Sequence, residues 1–312
     1  MKSRGVPVIV GPTASGKTAV ALRLANAIGG EIISADSRQV YRYLDVGTAK
    51  PTLRERQEVR HHFIDVVDPD ERYTAGEFGE RGRAVVEEVF SRGITPIIVG
   101  GSGLYIRSLV DGLFEGPGAD TETRELLEER IKRGELQSLL DELRRVDPVS
   151  ASRIDPTKPR RVVRALEVYR STGIPLSELQ STRPIEVNFT PYFYGLLWER
   201  KALYARIDHR CEQMVAGGLL EEAAGLERRG YGRDLNALNT VGYKESFACL
   251  HGEMTKPEML AQFKQNTRRY AKRQMTWFRR DKRVQWIPAA EELIPNRVAT
   301  MIEEEFCRAR AH

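Results

Sequence analysis

Val6-Pro7-Val8-Ile9-Val10-Gly11-Pro12-Thr13-Ala14-Ser15-Gly16-Lys17-Thr18 opens on a β-branched run and closes on a complete G-x-x-x-x-G-K-[ST] signature. The apolar run reads as a buried strand. Behind the signature, Val20, Ala21, Leu24, Ala25 and Ile28 recur at helical spacing, and Gly29-Gly30 ends the helix. Strand, glycine loop and helix in this order make a phosphate cradle. Glycine lets the backbone wrap an anion, and the helix N-terminus supplies unpaired N–H groups and a positive dipole end. Lys17 adds a point charge, and the Thr18 hydroxyl suits Mg²⁺. The signature calls for a diphosphate or a triphosphate and does not distinguish them.

Outward from the loop, residues 31–35 and 95–99 read as further strands, with a helical stretch at 77–92 between them. Such alternation predicts an α/β fold: a P-loop core whose parallel sheet is flanked by helices. Composition shifts after Gly112. Residues 115–119 read as a linker, and residues 121–179 show only charge-rich helical patterns, closed by Pro184. Residues 193–198 read as a strand rejoining the sheet, and the remainder reads as helix. The expected division is therefore a core of residues 1–116, an inserted all-helical domain of 117–185, and a completion of the core by 186–312.

The chain has 312 residues, 41% hydrophobic and 30% charged, which is enough apolar material for a sizeable core. Cys211, Cys249 and Cys307 stand far apart and match no metal-ligand spacing, which suits a reducing cytoplasm. No apolar run reaches the roughly 18 to 20 residues that span a bilayer, and residues 6–10 are too short for a signal peptide. The expectation is a cytoplasmic monomer without a membrane partner.

Most enzymes with this loop set a metal-binding aspartate at the end of a neighbouring strand. Here residues 95–99 run into Gly100-Gly101-Ser102-Gly103, which offers a hydroxyl and no carboxylate. The acid follows the second strand instead, at Asp36. In an open parallel sheet, ligands sit beyond the carboxyl ends of the strands, so the loop, Asp36 and Ser102 should share one crevice. The competing reading of Asp36 is a helix cap. Residues 63–68 could be a short strand carrying Asp65 and Asp68 as metal ligands, or simply surface acid. His61 and His62 are adjacent and diverge, which points to structural roles.

Residues 264–283 hold nine cations and one acid. Lys264, Arg268 and Lys272 repeat at i+4 and share a helix face. With opposite charges nearly absent, neutralisation of nucleic-acid phosphates explains the run better than a salt-bridged surface. Arg160, Arg161 and Arg164 form a second basic cluster within the helical insertion.

Taken in order, DSRQVY at 36–41, DVGTAKP at 45–51, HHFID at 61–65, GGSGLY at 100–105, RVVRALE at 161–167, TVGYK at 240–244 and AKRQMTW at 271–277 form one pattern with the loop. With them the chain resembles the bacterial tRNA dimethylallyltransferases (tRNA isopentenyltransferases) over nearly its whole length. The resemblance implies a core with a tunnel and a mobile helical domain gripping the anticodon stem-loop. It implies dimethylallyl diphosphate as donor, Mg²⁺ as cofactor and N6 of adenosine 37 of tRNA as acceptor. Gly11, Thr13, Ala14, Ser15, Gly16, Lys17 and Thr18 would hold the diphosphate, with Thr18 on the metal. Asp36 would be the general base, with Lys17 and Ser102 assisting catalysis. Asp36, Ser37, Arg38 and Gln39 would touch the target adenosine. Ser102, Arg124, Arg160, Arg161, Arg164, Asn239 and Lys244 would contact tRNA, as would Arg268 and Lys272 on the basic helix. The family usually has threonine where this chain has Ser102; the hydroxyl survives. Three rival readings are a P-loop kinase of a nucleotide or small molecule, a prenyltransferase of free adenine nucleotides, and a non-catalytic RNA-binding protein.

Overall fold

The computed structural model describes residues 4–112, 121–181, 186–290 and 295–311. The chain divides into two compact units, Met1–Val110 with Val187–His312, and Asp111–Glu186. The expected junctions at 116/117 and 185/186, the linker at 115–119 and Pro184 fall wholly or partly outside the described residues.

The first unit begins β1 (Gly5–Val10), α1 (Lys17–Ile28), β2 (Gly30–Ser34), α2 (Leu53–Glu58), β3 (His61–His62), α3 (Ala75–Ser91), β4 (Thr95–Gly100) and α4 (Gly103–Val110). The second unit is α5 (Thr121–Lys132), α6 (Leu136–Val146), α7 (Pro148–Arg153), α8 (Pro159–Thr172) and α9 (Leu176–Leu179). The first unit resumes with β5 (Thr190–Trp198), α10 (Arg200–Ala216), α11 (Leu219–Arg228), α12 (Tyr243–Leu250), α13 (Lys256–Phe278), β6 (Gln285–Ala289) and α14 (Pro295–Ala311).

The six strands form one sheet in the order β3-β2-β4-β1-β5-β6. Every pairing is parallel; Val8 lies beside Ile98 on one flank and Phe193 on the other. All residues of β1 and β4 are buried, as strands covered on both faces must be. Alternation assigns their side chains to two cores. Val8, Val10, Ile33 and Ile98 join α3, α4, α10 and α13 on one face. Ile9, Ile32, Ile97 and Val99 join α1 and α14 on the other. Burying one such side chain stabilises by about 1.5–3 kcal/mol, so this two-sided pattern fixes the register.

Three readings need correction. Residues 285–289 form β6, not helix; Pro288 is tolerated there because β6 is an edge strand. The short strand near Asp65 is β3, at His61–His62; beyond it only an isolated bridge joins Tyr41 to Val67. α3 starts at Ala75 rather than Glu77, because Thr74 and Glu77 form a reciprocal capping box.

The second unit has its own core of Leu127, Leu139, Leu140, Leu143, Val162 and Leu166 with their neighbours. Pro159 opens α8 and Gly173, at φ 73°, ends it. Among the described residues, no helix is long and apolar enough to cross a membrane.

Candidate active site

The strand ends set the site. β1 delivers the chain into the phosphate loop, β2 into Asp36 and β4 into Gly100-Gly101-Ser102. Gly16 caps α1 at φ 91° and makes no side-chain cap, so the first N–H groups of α1 stay available to an anion. Ala14 also takes a left-handed conformation, at φ 62°, which costs a residue with a Cβ about 1–2 kcal/mol. Such strain persists only where the surroundings hold it. The Ser15 hydroxyl is buried in the loop without a hydrogen-bond partner, and the Lys17 ammonium donates to the Pro12 carbonyl at 2.6 Å. A phosphate group in the loop would give the Lys17 ammonium a charged acceptor in place of that carbonyl.

Gly100 lets two strand ends meet. A Cβ there would lie 2.1 Å from the Ala35 carbonyl oxygen, a backbone atom with no room to yield. This approach lets the Ser102 N–H donate to Ala35 O at 3.2 Å, and the Ser102 hydroxyl accept the Ser37 N–H at 3.0 Å. Asp36 Oδ1 accepts from the N–H groups of Arg38 and Gln39 at 2.8 and 3.4 Å. The carboxylate thus caps a turn, where the competing reading had a helix, and it also lines the cavity below. The Gln39 amide is committed within the chain: it accepts from Ser34 and donates to the carbonyls of Thr48 and Ala49.

A cavity of about 510 Å³ lies across these strand ends, within the first unit. Thr13, Ala14, Lys17 and Thr18 line it from the loop, and Asp36, Ser37, Arg38 and Gln39 from the second strand end. Asn239 reaches it from the segment before α12 and Lys244 from the first turn of α12, and Arg210 and Tyr270 from α10 and α13. Gly11, Ser15, Gly16 and Ser102 are not part of this lining. Burial, seconded by Arg210, pushes the Lys17 ammonium down to about 7, against the pull of Asp36. Burial also lowers Arg210, again opposed by Asp36. The Tyr270 phenol is pushed up to about 12 by burial and then by Asp36, so it stays a neutral donor; the Ser102 hydroxyl hydrogen-bonds it and pulls the other way. Two desolvated cations around one carboxylate favour an entering polyanion.

The model of the IPP transferase family matches residues 39–281. The chain belongs to that family. It is 47% identical to the tRNA dimethylallyltransferase of Geobacter metallireducens, over 90% of this chain and 91% of that protein. The crystal structure of the full-length tRNA isopentenylpyrophosphate transferase from Bacillus halodurans superposes with a TM-score of 0.71, at 38% identity over 99% of this chain and 100% of the other. A eukaryotic dimethylallyltransferase crystallised acting on tRNA gives a TM-score of 0.81 at 28% identity, covering 99% of this chain and 80% of that one.

Several expected residues of this IPP transferase family member lie elsewhere. In the second unit, Arg124 and Arg164 pair with the fully buried Glu167, at 2.7 and 3.2 Å, while Arg160 and Arg161 are exposed. On α13, Lys264 pairs with Glu212 and Arg268 with Asp208, each at 2.5 Å; Lys272 is exposed. The missing opposite charges therefore come from α10, and the basic run is partly a salt-bridged surface after all. Asp65 is neutralised by Lys50 and Arg56, and Asp68 pairs with Arg42, so neither is a free metal ligand. Among the described residues, no cluster of three or more His, Cys, Asp or Glu side chains suits a metal. The hydroxyl of Thr18, an exposed residue, would be the group to hold Mg²⁺, which would supply positive charge beside a bound diphosphate. His62 bonds Glu31, whereas the His61 ring, held by the Val59 carbonyl, reaches the cavity. Arg210, and Tyr270 as a wall residue, escape sequence reasoning. A lone arginine in α10 and an aromatic in a basic run carry no local signature.

Proposed function

We propose that this chain transfers the dimethylallyl group from dimethylallyl diphosphate to N6 of adenosine 37 of tRNA, giving N6-dimethylallyladenosine and diphosphate. The observation that carries the reading is that Lys17 and Thr18 of the phosphate loop and Asp36 line one cavity. The adenine N6 amine delocalises its lone pair into the ring and must lose a proton as the new bond forms. Asp36 takes that proton, an effect worth roughly 10²- to 10⁴-fold in rate. The departing diphosphate gathers negative charge, which Lys17, Arg210 and the N–H groups of α1 meet; one such donor is worth about 10²- to 10³-fold. Mg²⁺ on the Thr18 hydroxyl would add further neutralisation. Ser102 holds Ser37 in place: its hydroxyl accepts the Ser37 N–H at 3.0 Å and donates to the Ser37 hydroxyl at 3.2 Å.

The target base must leave its stack, which costs least in a single-stranded loop. The helical insertion, residues 117–185, grips the anticodon stem-loop, and its exposed Arg160 and Arg161 support that role. The protein works as a cytoplasmic monomer. Incubation with dimethylallyl diphosphate, Mg²⁺ and bulk tRNA, followed by nucleoside mass spectrometry, tests the reading. Prenylated adenosine beside the anticodon supports it. Transfer of the ATP γ-phosphate in place of prenylation would turn the assignment to a kinase.

A further inference from the structure

Trp198 and Arg206 do not line the cavity, yet each takes a carbonyl of the phosphate loop from behind. The Trp198 indole Nε1–H donates to the Ser15 carbonyl at 2.9 Å. The Arg206 Nε–H donates to the Ala14 carbonyl at 3.0 Å. The two donors are themselves coupled, since the Arg206 guanidinium lies over the Trp198 ring, 4.3 Å from its centroid. One comes from the end of β5 and the other from α10, far from the glycine signature in sequence.

A trans peptide points its N–H opposite its C=O. Drawing the Ser15 carbonyl back toward Trp198 turns the Gly16 N–H forward. Drawing the Ala14 carbonyl toward Arg206 turns the Ser15 N–H away from it, where its only partner among the described residues is the Pro12 carbonyl at a long 3.4 Å. The same hold explains why Ala14, a residue with a Cβ, sits at φ 62°. With the Lys17 ammonium on Pro12, every carbonyl from Pro12 to Ser15 except that of Thr13 has a donor. Loop carbonyls that face backward leave forward N–H groups for an anion.

We propose that the stacked Trp198–Arg206 pair is a brace that sets the phosphate loop in its diphosphate-binding conformation, so that both are positioning residues for the donor. The proposal rests on the reading of the loop as a diphosphate site. Without the brace the Ala14 and Ser15 carbonyls lose their donors, and the anion must order those two peptides as it binds.

The test is calorimetric titration of the whole protein with inorganic diphosphate and Mg²⁺, for wild type, Trp198→Phe and Arg206→Met, with thermal unfolding in parallel. Trp198→Phe keeps an aromatic ring beneath the guanidinium and changes no charge; it removes the N–H together with part of the ring, and the thermal unfolding reports the lost packing. Both variants are expected to weaken diphosphate binding about tenfold. In steady state they raise the donor KM by a similar factor and leave the tRNA KM unchanged. A purely structural role would lower the melting temperature without moving diphosphate affinity. Wild-type affinity in a folded Trp198→Phe protein overturns the brace and leaves the proposed function standing. A wild-type protein that binds no diphosphate overturns both.

Discussion

The Gln274 side-chain oxygen accepts the Thr13 N–H at 2.8 Å, tying the basic helix α13 to the phosphate loop across 261 positions of sequence. The same amide donates to the Gly101 carbonyl at 3.0 Å. One buried side chain therefore sets the distance between two strand ends. Gln274→Ala would leave both backbone groups unpaired, at about 1–3 kcal/mol for each that stays buried. The expected result is a melting temperature lower by roughly 5 °C and weaker diphosphate binding. Unaltered values of both in that variant would show that the link is incidental.

Lys17 offers a titration experiment. Burial and Arg210 push its ammonium down to about 7, so at pH 8 the free protein carries mostly neutral amine. A bound diphosphate restores the charged form, and binding takes up protons. Calorimetry in buffers of different ionisation enthalpy should show the wild type absorbing up to about one proton more than Lys17→Met. Equal uptake in the two proteins contradicts this. For stability the sign is opposite to that of a paired lysine. The folded value, about 7, lies below the ordinary 10.5, so between them the unfolded chain binds more protons. The contribution of this group to stability is thus lowest below pH 7 and rises with pH through that window.

On α13 the cations are not equivalent. Arg268 is already paired with Asp208, whereas Lys272 is exposed and has no such carboxylate among the described residues. Lys272→Ala should raise the tRNA KM and reduce the slope of log affinity against log salt by about one. Arg268→Ala, which removes a charge already neutralised, should change the slope less. The reverse order would place the tRNA backbone on the Arg268 face.

The sheet was legible where the signal is local. β1, the loop and α1 declare themselves in one stretch, because a buried strand, a glycine turn and a helical period each have a short-range pattern. β6 was hidden: QWIPA at 285–289 is short, interrupted by Pro288 and flanked by charge, and only pairing with β5 makes it a strand. At the site, Lys17, Asp36 and Lys244 stand in quoted motifs, Asn239 directly precedes one, and all four reach one cavity. Arg210, Gln274, Trp198 and Arg206 act through contacts that join distant segments, and no single window of sequence contains such a contact. The ion pairs of Lys264 and Arg268 were missed for the same reason: their partners lie on another helix.

The most direct measurement is single-turnover transfer by Asp36→Asn, paired with its affinity for inorganic diphosphate. Asparagine keeps an oxygen to cap the turn at Arg38 and removes the base. The account predicts transfer slower by about 10²-fold or more, with diphosphate bound as tightly as by the wild type or tighter, since a negative charge has left the cavity. Transfer at nearly the wild-type rate would contradict it.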